Sequence, residues 1–135
     1  MLKVTCALII ENRKLLITQN NSTSDHPFQW EFPGGKIKPK EKSEECIVRE
    51  IQEELNVEVI ILQKLKPIVF DYGIKKIHLI PFLCRIQSGI IRLNEHVDFK
   101  WIGYDELEST DFSGADKKLF PEKANSAILK KHIGK

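Results

Sequence analysis

The chain has 135 residues, 41% of them hydrophobic and 30% charged, with a formal net charge of +2. That length suits one domain, taken as residues 1–135, and the composition is that of a globular protein rather than a disordered or fibrous one. So small a net charge argues for neither nucleic acid nor a membrane surface as partner, and no apolar run approaches the roughly 18 residues of a spanning helix.

The first predicted elements are "KVTCALII" and "KLLITQ", β-rich runs joined by "ENRK" as a hairpin. The N-terminal apolar run is short and soon interrupted by Glu11, unlike a signal peptide, so a cytoplasmic location is expected. Cys6, Cys46 and Cys84 are odd in number and widely spaced, which points to buried thiols rather than a zinc site or a disulfide framework. "NNSTSDHP" has turn chemistry, and "FQWEF" reads as a short strand ended by Pro33-Gly34-Gly35.

A helix is predicted over about residues 44–55. Ser43 stands as its N-cap, Glu44 and Glu45 lie in its first turn, and Ile47, Val48, Ile51 and Leu55 form one apolar stripe. Asn56 suits the left-handed position that stops it. Then "VEVIILQKL", "KPIVFDYG", "KKIHLIPFLCRI" and "HVDFKWI" read as strands, with "DYGIKK" as a turn. "YDELES" reads as a short helix, and "DKKLFPEKANSAILKKHI" as a C-terminal helical segment interrupted near Pro121. Strands alternating with two substantial helices imply an α/β sandwich around a mixed sheet.

The chemistry concentrates in "REIQEEL", residues 49–55. Glu50, Glu53 and Glu54 fall within roughly 100° of helical arc, about 120° from the centre of the apolar stripe. A solvated acidic face is one reading. The other is a site for a hard divalent cation, which would offset the mutual repulsion far better than Arg49 can alone.

The wider pattern favours the cation. Gly35 is followed after five residues by Glu41, and after seven more by Arg49-Glu50-Ile51-Gln52-Glu53-Glu54-Leu55-Asn56-Val57. This resembles the signature of the Nudix hydrolase family, with Asn56 where the family has Gly, and "WEFPGGKI" and "EHVDFKWIGYDEL" resemble its MutT-like branch. The resemblance implies a Nudix α/β/α sandwich around a mixed β-sheet. The implied activity is Mg²⁺- or Mn²⁺-dependent hydrolysis of a nucleoside triphosphate to the monophosphate and pyrophosphate, in nucleotide-pool sanitation.

The resemblance also implies metal ligands at Glu53, Glu54 and the Gly35 carbonyl. Glu50 is the candidate general base and lies in the metal set, and Glu95 is either a further ligand or the base. Arg49 would orient the carboxylates and Glu41 would brace the loop. Lys36 is a candidate phosphate contact, with a plain solvated lysine as the alternative. Many relatives carry an arginine after the second strand, where this chain reads "TQNNSTSD".

For the base, "DFSGADKKL" resembles the base-reading stretch of MutT-like proteins and puts Asp116 there. A carboxylate suits an exocyclic amine, hence a cytosine nucleotide. A rival alignment through "FPEKANSAIL" uses Asn125 and suits oxidised guanine, while helix capping is the alternative for either residue. Tyr72 and Phe28 are candidate stacking groups. The expected partner is a small nucleotide, with no membrane and no nucleic acid, for a monomer or homodimer. Alternatives are dinucleoside polyphosphates, nucleotide sugars or RNA 5′ ends as substrates, or a non-catalytic nucleotide-sensing module.

Overall fold

The computed structural model describes residues 1–134. The first strand, β1 (Leu2–Glu11), turns through Asn12 and Arg13 into β2 (Lys14–Gln19). Both turn residues have positive φ, 50° and 61°, the geometry of a tight hairpin whose twist matches its strands. After a loop come β3 (Trp30–Glu31), β4 (Gly34–Lys36) and α1 (Ser43–Leu55), then β5 (Glu58–Lys64), β6 (Ile68–Asp71), β7 (Lys76–Ser88) and β8 (Asp98–Ile102). Two 3₁₀ turns, Tyr104–Glu106 and Gly114–Lys118, lead to α2 (Lys123–Ile133). None of the described helices is long and apolar enough to cross a membrane.

The sheet is mixed. Residues 2–9 of β1 pair in parallel with β7, while β7 also takes β6 and β5 antiparallel along successive parts of its length. On its other side β1 pairs with β4, and β2 carries β3 and β8. Alternation along β1 sends Ala7 and Ile9 to one face and Cys6 and Leu8 to the other, so the sheet is buried on both sides. One face packs on Ile47, Ile51 and Leu55 of α1, all fully buried and each contributing about 1.5–3 kcal/mol. The opposite face packs on Leu129 and Ile133 of α2 and on Phe112 and Leu119. This is the expected α/β/α sandwich, and Cys6, Cys46 and Cys84 are buried free thiols within it, as expected.

Two local expectations need correction. Pro33-Gly34-Gly35 does not simply end a strand, because Gly34–Lys36 forms a strand of its own on β1. A Cβ on Gly34 would stand 2.1 Å from the Thr5 carbonyl oxygen, so only glycine permits this approach. The cap of α1 is not Ser43. Its hydroxyl turns to Glu44 Oε1 at 2.7 Å, and Lys42 takes the extended cap position, its N–H donating to Glu45 Oε1 at 2.9 Å. At the other end Asn56 is left-handed, with φ 59°, as its place after the helix predicts.

Candidate active site

Two glutamates of α1 face a cavity of about 470 Å³, closed opposite by β3 and by the loops around residues 20–26 and 95–96. The 90–97 loop is fastened along the C-terminal end of α1. Arg92 N–H donates to Leu55 O at 3.0 Å, Asn94 N–H to Glu54 O at 3.1 Å, the Asn94 amide to Glu53 O, and Asn56 Nδ2 to Arg92 O at 2.8 Å. That fastening brings Glu95 and His96 over Glu54.

Glu54 lies deepest, its side chain only 7% exposed. Its Oε1 is 3.8 Å from His96 Nε2, and its Oε2 is buried with no partner among the described residues. Glu31 Oε2, from β3, is 2.8 Å from the same His96 nitrogen. Burial pushes the Glu54 carboxyl well above the usual carboxylate range, helped by the neighbouring Glu50 carboxyl and then by the charges of Glu31 and Glu95. Left alone, this carboxyl holds a proton.

Glu31, Glu54 and His96 each offer an atom within 4.8 Å of the others, a set that could hold a cation. The orphaned Glu54 oxygen and the surplus of carboxylates fit a hard divalent cation. His96 reads as a donor to Glu31 rather than a ligand. A metal-bound imidazole hands its other ring N–H to a partner, whereas Nδ1 of His96 is buried without one.

The outer part of the site is wired through Arg49. Its Nε and Nη2 donate to Glu41 at 2.7 and 2.9 Å, and its Nη1 to Glu50 at 2.9 Å and Glu53 at 3.1 Å. These bonds hold Glu41 down at a pKa of about 2, the Arg49 hydrogen bond being the largest cause and the Lys38 N–H the next. Glu53 is 54% exposed and lies outside the cavity. Gly35 sits under Glu50, where a Cβ would be 2.4 Å from the Glu50 carboxyl carbon. The Gly35 carbonyl accepts from Thr5 Oγ1 at 3.2 Å.

A second cavity, of about 510 Å³, adjoins the first, and Asp25, His26, Glu31 and Lys36 line both. Asp116 and Tyr72 stand in it. Asp116 Oδ2 accepts from Phe32 N–H at 2.8 Å, which leaves Oδ1 for a ligand. Burial, and then the charge of Glu31, push the Asp116 carboxyl well above its ordinary value, against the Phe32 bond.

Other expected site residues lie elsewhere. Asn125 is 1% exposed and outside both cavities; its Oδ1 accepts from Lys66 N–H at 2.8 Å, and its Nδ2 donates to Lys66 O at 2.9 Å and Leu119 O at 3.1 Å. It clamps α2 to the turn before β6. Phe28 is 55% exposed and lines neither cavity. Glu95 lies on the rim of the first cavity, and Lys36 is exposed between the two.

In place of the missing arginine, Asn20 and Asn21 organise the loop. Asn20 Nδ2 donates to His26 O at 3.0 Å, and Asn21 Nδ2 to Glu95 O at 3.0 Å, so His26 is presented where the cavities meet. Glu31, His96 and His26 were not singled out from sequence. A signal existed for two of them, since Glu31 precedes Pro-Gly-Gly by two residues and His96 follows Glu95 directly.

The Nudix-domain family profile matches residues 1–123 of this chain. The chain belongs to the Nudix family. Two curated relatives are similar over most of their length. One is the CTP pyrophosphohydrolase of Escherichia coli K12, 29% identical, with 88% of each chain covered. The other is the 8-oxo-dGTP diphosphatase of Buchnera aphidicola (subspecies Schizaphis graminum), 32% identical, with 86% of this chain and 88% of that one covered. Among solved structures, the solution structure of the E. coli ORF135 protein superposes with a TM-score of 0.82 at 27% identity, over all of this chain and 95% of the other. A MutT protein from Methanosarcina mazei, 22% identical with a TM-score of 0.80, shares the fold over 94% of both chains. The matched residues include those that line the cavity holding Glu50 and Glu54.

Proposed function

We propose that this MutT-like Nudix hydrolase cleaves a nucleoside triphosphate to the monophosphate and pyrophosphate with Mg²⁺ or Mn²⁺, and that it favours cytosine nucleotides. The observation that carries the reading is the buried, unpartnered Glu54 carboxylate among Glu31, Glu50 and Glu95 at the base of the first cavity. When bound, the cation supplies the positive charge that neutralises the phosphates and keeps Glu54 ionised. Glu54 and Glu50 would hold it from inside the cavity, and by the family resemblance Glu53, Glu95 and the Gly35 carbonyl would complete the set from outside or at its rim.

Glu50, held by Arg49 at 2.9 Å, takes the proton of the attacking water. Glu41 acts only through Arg49. Lys36 and His26, the groups at the seam able to carry positive charge, lie where a phosphate chain would cross between the cavities. At the far end Asp116 Oδ1 accepts from the base. As a carboxylate, Asp116 would accept the exocyclic amine N–H of cytosine. The Asn125 amide is already bonded to backbone groups, which speaks against the rival reading, so among the relatives the CTP-directed one is taken as the guide. The test is a panel of nucleoside triphosphates with Mg²⁺, Mn²⁺ or EDTA, with pyrophosphate and orthophosphate measured separately. Metal-dependent pyrophosphate release, highest on a cytosine nucleotide, is expected; no turnover of any nucleotide would leave a sensing module.

A further inference from the structure

Tyr72 touches the base-reading turn in a way that stacking does not explain. Its hydroxyl accepts from Ala115 N–H at 3.1 Å, one residue before Asp116. The turn in turn makes room for it: a Cβ on Gly114 would stand 2.1 Å from the Tyr72 hydroxyl, and Gly114 has φ +44°. The ring is engaged as well. Phe70 meets it edge-on at a centroid distance of 4.5 Å, and Lys75 Nζ lies 5.9 Å from its centroid. Two bonds thus place the Asp116 carboxyl, Phe32 N–H gripping its Oδ2 and Tyr72 gripping the backbone beside it. The first comes from the residue that follows β3, the second from the residue that follows β6, so the turn is pinned from two segments far apart in sequence.

We propose that Tyr72 is a positioning residue for base selection, acting through its hydroxyl on the Gly114–Asp116 turn rather than by stacking on the base. The inference rests on the reading of Asp116 as the base contact. Without the hydroxyl the turn keeps its Phe32 grip but loses its second anchor, and Oδ1 is held less narrowly in the cavity. Discrimination then suffers while hydrolysis continues, because the carboxylates of the first cavity are untouched.

The test is Tyr72→Phe, which keeps the ring. One lost hydrogen bond corresponds to roughly a 3- to 10-fold fall in the ratio of kcat/KM for the cytosine nucleotide to that for a uracil nucleotide. The fall should appear mainly in KM, with the metal concentration for half-maximal rate unchanged. In an Asp116→Asn background the same substitution should add nothing to the ratio, because the two act on one contact. Should Tyr72→Phe fold poorly, Gly114→Ala breaks the same contact from the turn side and should lower the ratio likewise. If Asp116→Asn lowers the ratio and Tyr72→Phe does not, the latch is overturned and the Asp116 reading stands. If Asp116→Asn leaves the ratio unchanged, both fall. An unchanged Tyr72→Phe with a selective loss in Tyr72→Leu would make the ring, and so stacking, the active part.

Discussion

Glu41 and Glu54 meet the same helix and have opposite fates. Glu41 faces the Arg49 guanidinium through two hydrogen bonds and the Lys38 N–H through a third, and its carboxyl is held down at about 2. Glu54 is buried among like charges with one oxygen unpartnered, and its carboxyl is driven upward. The first is complete as it stands, while the second is an arrangement the fold tolerates at a cost and, on the proposed function, a cation would complete. The same division separates Asn125, whose amide is fully bonded, from Asp116, whose Oδ1 is left for a ligand. Satisfied polar groups here hold the fold, and on the proposed function the unsatisfied ones face the cation and the base.

The largest expected effect comes from Glu54→Gln. Losing one buried charge that faces the cation should cost about 3–4 kcal/mol, lowering kcat roughly 100- to 1000-fold. The metal-free variant should nevertheless melt roughly 2–6 °C above the parent by calorimetry in EDTA near pH 7, since folding no longer has to protonate a buried carboxyl. A variant that lost activity and stability together would put Glu54 in the same class as Glu41.

Asp116→Asn comes next. Phe32 N–H requires the amide oxygen, so the substitution turns an NH₂ group into the cavity where an acceptor stood. A hydrogen bond to a charged group is worth about 1.5–3 kcal/mol. Cytosine kcat/KM should therefore fall roughly 10- to 150-fold, guanine nucleotides should fall less, and metal dependence should stay the same.

Glu41→Gln should act only through Arg49. A lost outer partner of this kind typically costs about tenfold in metal affinity or rate, and melting at neutral pH should drop, the reverse of Glu54→Gln. Asn125→Ala should leave base preference intact while unfolding becomes easier by about 1–3 kcal/mol in a urea titration, because three backbone groups lose their partner. Altered base preference in that variant would instead restore Asn125 as a reader.

pH separates the two carboxylates by sign. Glu41, with a folded pKa of about 2 against an ordinary 4.5, adds stability above 4.5 that is lost as pH falls toward 2. Glu54 is raised, so the folded chain keeps a proton that the unfolded chain gives up. Its contribution is full below 4.5 and is lost as pH rises from there. Asp116, also raised, acts in the same direction from its ordinary 3.8. Metal-free protein should therefore lose stability as pH rises from 4.5 toward about 10, and Glu54→Gln should flatten part of that slope.

Much of this arrangement could be read from the residues, and the exceptions share a cause. Helix α1 follows from its apolar stripe and its Asn56 stop, and the spacing from Gly35 to Glu54 brought the acidic groups into view because a helix converts spacing into geometry. Glu31 and His96 escaped because their meeting with Glu54 depends on β3 and on the 90–97 loop, which no local period encodes. Ser43 was misread because its hydroxyl had a nearer competitor in Glu44. Asn125 was ambiguous because a base-reading amide and a helix clamp have the same chemistry, and its three bonds favour the clamp.

The central claim, that Glu54 is left unsatisfied for a divalent cation, can be tested by titrating Mn²⁺ into metal-stripped protein near pH 7, with free Mn²⁺ followed by electron paramagnetic resonance and heat measured in two buffers of different ionisation enthalpy. The parent should bind the ion and release protons as it does so, because Glu54 gives up the one it holds. Glu54→Gln should bind at least about tenfold more weakly and release fewer protons. Equal Mn²⁺ affinity in parent and variant, with no difference in proton release, would contradict the account.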